Sequence, residues 1–367
     1  MNVTEKYIRN KSGFMRLGYF AIFASVVTLS CQSTQEMADT DETAAMASEM
    51  MQEKLTALPV PSSAYGPPIP QEKGYVVEEI GDGIYWVTEG VYQIIFLTTG
   101  EGVIVVDAPP NIGERILAAI AETTTEPITH VIYSHSHADH IAAASMYPAD
   151  ATYIAHELTA ENLSSMSDES RIAPFGAFLG GSPVPMPTVT FKDNYTLEVG
   201  NQKLELSYRG VNHNPGNIYI YAPRQKVLMF VDVIFPGWTP FKYLAITTDV
   251  AGYVAAHDEV LTFDFETLVS GHLGRRGTRQ DVETQKEYIH DMRANAAMAL
   301  QTVDFMAIAE QTGWANSWLL FDTYLNAVAQ TCADSTVANW GDKLGAVDIF
   351  TWGHCWQLAE ALRLDYY

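Results

Sequence analysis

The chain has 367 residues, of which 47% are hydrophobic, and its formal net charge is −23. This apolar content suffices for a large packed core, and the length accommodates one large layered domain with extensions. The acidic balance excludes a phosphate-backbone partner, because nucleic-acid binding depends on clustered Lys and Arg. We therefore expect a small-molecule partner and no nucleic acid.

The first 31 residues have the pattern of an export signal. Four basic residues precede an apolar run over residues 17–29, which ends at Ser30 and Cys31. The run is too short to span a bilayer comfortably, and its flanks are typical of secretory signals. Its end resembles a bacterial lipoprotein signal in which Cys31 is lipidated, although Thr28 stands where Leu is usual. We expect export to the periplasm or outer membrane, with this lipid anchor as the membrane contact; an uncleaved anchoring helix is the alternative.

Residues 32–72 show no strand pattern. They are rich in Ala, Met, Thr, Glu and Pro, and the prolines in LPVPSS and GPPIP favour extended, unpaired backbone. This composition predicts a flexible linker, with a short helix over about 44–58 as the alternative.

Residues 73–275 read as a domain in which strands are followed by alternating strands and helices. Apolar and β-branched runs separated by Gly or charged turns mark the strands, and apolar residues on one face mark the helices. In chain order we predict strands over 75–80, 83–90, 91–99 and 102–108, a helix over about 111–123, a strand over 128–135, a helix over 156–168, further strands up to 226–232, a helix over about 249–263 and a strand over 266–272. This order predicts two sheets with helices outside.

Residues 276–367 read as a helical C-terminal extension. We predict one long helix over 280–311 and further helices over about 314–331 and 350–364. An aromatic stripe at helical spacing is expected to be core rather than a ligand site; it comprises Trp314, Trp318, Phe321, Tyr324 and Leu325. Cys332 and Cys355 form either a disulfide or two buried free thiols, because sequence does not fix their separation.

The segment SHSHADH carries the strongest chemical signal. It follows an apolar strand directly and contains His135, His137, Asp139 and His140 within six residues. Imidazole and carboxylate are suitable ligands for a borderline divalent cation such as zinc, and packing does not explain this density of them. Three later residues also lie at the ends of β-like segments: His213, Asp232 and His272. Loops at one end of neighbouring strands bring such side chains to a single point.

In these residues the sequence resembles the metallo-β-lactamase superfamily, whose signature HxHxDH is matched at 135–140. The resemblance covers about 73–275 and implies a four-layer αββα sandwich with a metal site at the edge shared by its sheets. It implies that one metal is bound by His135, His137 and His213. The second is bound by Asp139, His140 and His272, with Asp232 bridging the two. Asp107 matches a structural aspartate of the family.

Two departures bear on the substrate. Ile141 stands where the motif is commonly followed by glycine, which removes no ligand. Asp232 looks like the ligand of the glyoxalase II and lactonase branches, but Phe235 stands where many lactonases carry tyrosine. The substrate therefore stays open among esters, lactones, thioesters and β-lactams.

The resemblance implies a hydrolase with two Zn²⁺ ions, with iron or manganese as alternatives. In such a site a metal-bound water loses its proton near neutral pH and attacks a carbonyl carbon. Asp139 is the expected catalytic residue, because it orients the nucleophile as well as binding metal. The alternatives are an iron-dependent oxidoreductase of this fold and a non-catalytic exported binding protein.

Two further features are expected near the site. Arg275 and Arg276 follow His272 closely, so they either contact an anionic substrate or lie in a solvated turn. The aromatic loop over 235–243 forms either an apolar wall of the pocket or a contact with the C-terminal helices. The oligomeric state is left open.

Overall fold

The computed structural model describes residues 57–166 and 173–365. The predicted export signal and the linker as far as residue 56 lie outside the described residues. Within the described ranges, no helix is both long and apolar enough to cross a membrane.

The first sheet contains seven strands within the described residues, arranged in chain order. The first three pairings are antiparallel, and the strands from β4 to β7 run parallel. The strands are β1 Val76–Gly81, β2 Ile84–Thr88, β3 Gln93–Thr98, β4 Val103–Val106, β5 Ile128–Ile132, β6 Thr152–His156 and β7 Val189–Phe191.

The second sheet has five strands in the part of the chain that is described, in the order β12-β11-β10-β9-β8. Its pairings are antiparallel except for the parallel pair of β11 and β12. The strands are β8 Asn194–Val199, β9 Gln202–Ser207, β10 Tyr219–Ala222, β11 Val227–Met229 and β12 Thr267–Val269.

Side-chain alternation places β3 between two hydrophobic clusters. Ile95 and Leu97 join the cluster between the two sheets, whereas Ile94 and Phe96 point to the cluster on the other side. A period of two is what a strand buried on both faces requires. The outer cluster of the first sheet includes residues of helix α1, Arg115–Thr123.

The C-terminal helices cover the outer face of the second sheet. One continuous cluster joins Leu228 and Phe230 of that sheet to buried residues of the helices, such as Ile289, Val328 and Leu358. The helices are α4 Val250–Val260, α5 Arg279–Thr302, α6 Phe305–Thr312, α7 Ser317–Trp340 and α8 Val347–Leu364, with α2 Ala138–Ile141 and α3 Glu157–Met166 earlier in the chain. The expected αββα arrangement with a C-terminal helical region is confirmed.

The prediction of one continuous helix over 280–311 is wrong. The segment consists of α5 and α6, separated at Val303 and Asp304. The Asp304 carboxylate accepts hydrogen bonds from the backbone N–H groups of Met306 and Ala307, so it caps a new helix.

The aromatic stripe predicted to be core is largely exposed. Trp314 is 62% exposed, Trp318 84% and Phe321 42%. The first turns of α7 pack against α6, where Phe305 contacts Phe321 and Tyr324, and the Tyr324 hydroxyl also reaches the Leu300 carbonyl of α5. Helical periodicity identified a shared face, but in this part of α7 no sheet covers that face.

A hydrogen bond ties residues 57–72 to the folded body, and a disulfide joins two of the C-terminal helices. Residues 57–72, predicted to be flexible linker, contact the folded body instead: Trp238 Nε1 donates to the Ala64 carbonyl, and Ala64 is buried. Cys332 and Cys355 form a disulfide between α7 and α8, with their Cα atoms 5.9 Å apart.

Candidate metal centre

The signature motif lies where β5 ends and α2 begins. His135 follows the strand by three residues, His137 precedes α2, and Asp139 and His140 lie in that short helix. Asp107, directly after β4, accepts a hydrogen bond from the Ser134 backbone N–H at 2.8 Å. Asp107 thereby fixes the backbone that leads into the motif, which is the supporting position expected for it.

The second sheet delivers the other three side chains. His213 follows β9, Asp232 follows β11 and His272 follows β12. Gly271 permits the approach of the last of these: its φ is +85°, and a Cβ there would lie 2.6 Å from Val231 Cγ1 and 3.1 Å from His140 Cε1. A side chain at position 271 would therefore displace His140.

The seven predicted residues converge in two groups. His135, His137, His213 and Asp232 form one, and Asp139, His140 and His272 form the other; within each group the candidate ligand atoms lie within 4.8 Å of one another.

Asp232 lies between the two groups. Its Oδ2 lies 3.2 Å from His213 Nε2 and 3.2 Å from His140 Nε2, and its Oδ1 lies 3.0 Å from His272 Nε2. Asp232 therefore contacts histidines of both groups.

Burial and charge set opposite protonation tendencies in the two groups. Burial lowers the pKa of His135 well below its usual range and that of His137 to about 4. Burial also opposes protonation of His140 and His272, but the Asp232 and Asp139 carboxylates together outweigh it and raise both pKa values, that of His272 to about 10. Burial raises the pKa of Asp139, but His140 and His272 outweigh it and hold this pKa at about 2. The Asp139 and Asp232 carboxylates thus favour positive charge in the space between them.

The donor set fits divalent cations. His135 Nε2 is buried without a hydrogen-bond partner. His140 Nε2 lies 3.0 Å from His272 Nε2, and His213 Nε2 lies 2.9 Å from His137 Nδ1. Neutral imidazoles would direct lone pairs at each other across these gaps, which a cation relieves. Nitrogen and carboxylate donors of this kind suit zinc.

Neighbouring groups orient these ligands. Ser134 Oγ lies 3.0 Å from His135 Nδ1, and the side-chain amide of Asn214 lies 3.0 Å from His137 Nε2. These contacts leave His135 Nε2 and His137 Nδ1 directed at the centre. The Ser134 hydroxyl can accept from His135 Nδ1–H, and a partner of this kind fixes the tautomer of a metal-binding histidine.

A buried amide fixes the chain at His272. Gln93 Nε2 lies 2.7 Å from the His272 carbonyl oxygen and 3.0 Å from that of Leu273, and Gln93 Oε1 accepts from Trp86 Nε1 at 2.7 Å. Tyr92, next to it, packs its ring against His272, with ring centroids 4.5 Å apart. Neither Tyr92 nor Gln93 was singled out from the sequence, since nothing in QIIF marks a contact with residues about 180 positions away.

A pocket of about 490 Å³ opens onto the centre. Asp139, Asp232 and His272 lie at its base, and the loop after Asp232 contributes Phe235 and Trp238, among others, to its walls. The aromatic loop therefore forms an apolar wall of the pocket. It also contacts the C-terminal helical region, because Trp238 pairs with Gly345 before α8.

The two arginines after His272 lie elsewhere. Arg275 pairs with Asp281 at 2.5 Å, Arg276 pairs with Glu78 at 2.8 Å, and neither lines the pocket. These contacts favour the structural interpretation over substrate contact.

The family model described as the metallo-β-lactamase superfamily matches residues 51–272. The chain belongs to this superfamily. The 2,4-dinitroanisole O-demethylase subunit alpha of Nocardioides sp. (strain JS1661) is 25% identical over 215 residues, covering 57% of this chain and 61% of that relative. An acyl-coenzyme A thioesterase of Bos taurus is 22% identical, over 63% of this chain and 96% of its own length.

A solved structure shares the fold over most of the chain. A double mutant of the sec-alkyl sulfatase PisA1 superposes with a TM-score of 0.53 and 15% sequence identity, over 79% of this chain and 50% of that one. The chain thus matches about three fifths of the demethylase subunit and half of the sulfatase, and at this identity the latter likeness concerns the fold alone.

Proposed function

We propose that this metallo-β-lactamase superfamily member is a hydrolase that holds two divalent cations, zinc in the first place, and cleaves an ester, lactone, thioester or β-lactam carbonyl. The observation that carries the proposal is the convergence of two ligand groups on Asp232 at the base of a pocket. His135, His137 and His213 would hold one cation, and Asp139, His140 and His272 the other.

Bound divalent cations would acidify a water molecule and polarise the carbonyl oxygen of the substrate. The chain's own part is to position the reactants and to move protons. Asp139 lines the pocket and lies 3.5 Å, through Oδ2, from both His140 Nε2 and His272 Nε2. Its carboxylate is therefore placed to orient the attacking water and to receive its proton.

Tyr92 supplies a second polar group at the pocket. Its hydroxyl donates to Asp139 Oδ2 at 3.4 Å, and burial together with the charge of Asp139 raises its pKa. The Tyr92 hydroxyl thus keeps its proton at neutral pH and can hold Asp139 in orientation or donate to a substrate oxygen.

The test is metal content together with turnover. Purified protein should contain about two zinc ions per chain and hydrolyse at least one member of a panel of aryl esters, lactones, thioesters and nitrocefin. Asp139→Asn should lower kcat by about 100-fold or more, whereas Asp150→Asn, an exposed position in a turn, should leave it unchanged. Bound iron without hydrolysis would favour the oxidoreductase alternative. The absence of both bound metal and turnover would favour a binding protein.

We further propose that the protein works outside the cytoplasm, with its N-terminal segment as signal and lipid anchor. The buried disulfide supports this location, because such bonds persist in oxidising compartments. Cell fractionation should recover the protein with membranes or periplasm, and a cytoplasmic location would contradict the proposal.

A further inference from the structure

The walls above the metal ligands are built almost wholly from apolar side chains. Phe235, Trp238 and Phe241 come from the loop after β11, and Ile349 and Phe350 come from the first turn of α8. The C-terminal helical region therefore supplies part of the substrate pocket as well as covering the second sheet.

The mouth of the pocket is also apolar. Val91 is 49% exposed, Phe241 53%, Ile246 52% and Ile349 54%. Large apolar side chains gathered at a cleft mark a ligand-binding surface, whereas scattered single ones do not.

A remote charge on the substrate would find no partner among the residues that line the pocket. In the described part of the chain, the lining residues include no Lys or Arg, and the charged groups among them are the metal ligands at the base. The nearby Arg275 and Arg276 are held in ion pairs elsewhere.

The volume limits the length of an apolar group. At roughly 30 Å³ per water-sized group in a liquid, the pocket of about 490 Å³ holds about 16 non-hydrogen atoms. With about four of these assigned to the reacting ester, about twelve remain, which accommodates an unbranched chain of about ten carbons.

We propose that the pocket selects esters or thioesters carrying an uncharged apolar chain of about six to ten carbons, and that Ile349 of α8 is one of the residues that determine this specificity. The inference rests on the proposed hydrolase function for the reaction itself, but binding of the substrate's apolar chain does not depend on that function. Burying a methylene contributes about 0.8 kcal/mol, which is about fourfold in kcat/KM for each carbon the pocket covers.

The test combines a substrate series with a binding measurement. Metal-loaded protein is assayed on 4-nitrophenyl esters from acetate to decanoate and on acetates of alcohols of the same lengths. In one of the two series, kcat/KM should rise by at least about 30-fold between two and eight carbons. An ester of the same length ending in a carboxylate should lose that gain. Binding of 1-decanol, measured by calorimetry, reports the affinity of the pocket for an apolar chain without any reaction.

Two matched variants locate the effect. Ile349→Asp places a carboxylate at the mouth, at the third residue of α8. Leu319→Asp makes the same change at the third residue of α7, where Leu319 is 48% exposed and does not line the pocket. Ile349→Asp should abolish most of the chain-length gain and weaken 1-decanol binding at least tenfold. Leu319→Asp should change neither.

The outcomes separate the two proposals. Chain-independent turnover without 1-decanol binding overturns the apolar subsite and leaves the hydrolase function standing. Binding of 1-decanol that Ile349→Asp weakens, with no turnover of any ester, lactone, thioester or β-lactam, supports the subsite and overturns the hydrolase. Equal effects of Ile349→Asp and Leu319→Asp also overturn the subsite.

Discussion

Replacing Gln93 by leucine should both destabilise the domain and weaken metal binding at its centre. The Gln93 side chain is fully buried, its amide donates to the His272 and Leu273 carbonyls, and its oxygen accepts from Trp86. Leucine would leave two carbonyl oxygens and one indole N–H buried without these partners. A buried group left unsatisfied costs about 1–3 kcal/mol, and partial relaxation makes about 2–5 kcal/mol in total a realistic loss of unfolding free energy.

The same change should weaken metal binding, because the chain segment that carries His272 loses its fixed position. Loss of a residue that orients a metal ligand typically lowers affinity about 10- to 100-fold. We expect this loss for one of the two cations, measured by competition with a chelator at a temperature where the variant is folded.

Gln202 provides the matched control. It is also a buried glutamine, and its amide donates to the carbonyls of Asp82 and Thr98, at the opposite end of β3 from Gln93. Gln202→Leu should destabilise the domain comparably in urea denaturation yet leave both metal affinities unchanged. A Gln93→Leu variant that binds both cations as tightly as the wild type, or a Gln202→Leu variant that loses affinity to the same extent, would refute this role of Gln93.

Further predictions concern stability and pH. Burial lowers the pKa of His257 and of His354 to about 4. Between pH 6.5 and 4 the unfolded chain therefore binds more protons than the folded one, and the unfolding free energy decreases as the pH is lowered. Each histidine should cost about 2 kcal/mol at pH 5 relative to pH 8, and His354→Gln should flatten the dependence of the urea midpoint on pH in this range. Reduction of the bond between Cys332 and Cys355, 23 residues apart, should lower the unfolding free energy by about 3 kcal/mol and the Tm accordingly; an unchanged Tm would refute it. Gly271→Ala should cost about 2 kcal/mol or more and lower the metal content, and full metal occupancy in this variant would contradict the close approach described. Chelation should lower the Tm of the wild type, and added Zn²⁺ should restore it, since ligands that bind only the folded state stabilise it.

The metal centre could be predicted because its signal is local. Each of the seven side chains lies at or just beyond the end of an apolar strand, and four of them fall within residues 135–140. The paired sheets then follow from strand patterns such as that of β3, whose alternate residues face different clusters. Strand ends and side-chain periodicity are written in short stretches of sequence.

The surroundings of the centre could not be predicted, since they depend on contacts between distant segments. Gln93 reaches the His272 carbonyl across 179 positions, and Ile349 lines a pocket whose base is Asp139. The break before α6 did have a local signal, because Asp304 is a favourable helix-capping residue. Trp318 shows the remaining gap: its spacing identifies a helix face, but whether that face is covered depends on the rest of the fold.

The most direct test of the metal centre is anomalous X-ray diffraction from crystals grown with zinc. We expect two peaks roughly 3.5–4 Å apart on either side of Asp232, with ligand atoms of His135, His137 and His213 around one and of Asp139, His140 and His272 around the other, at roughly 2.0–2.2 Å. A single peak that uses neither group, or no peak at zinc concentrations that saturate turnover, would contradict this expectation.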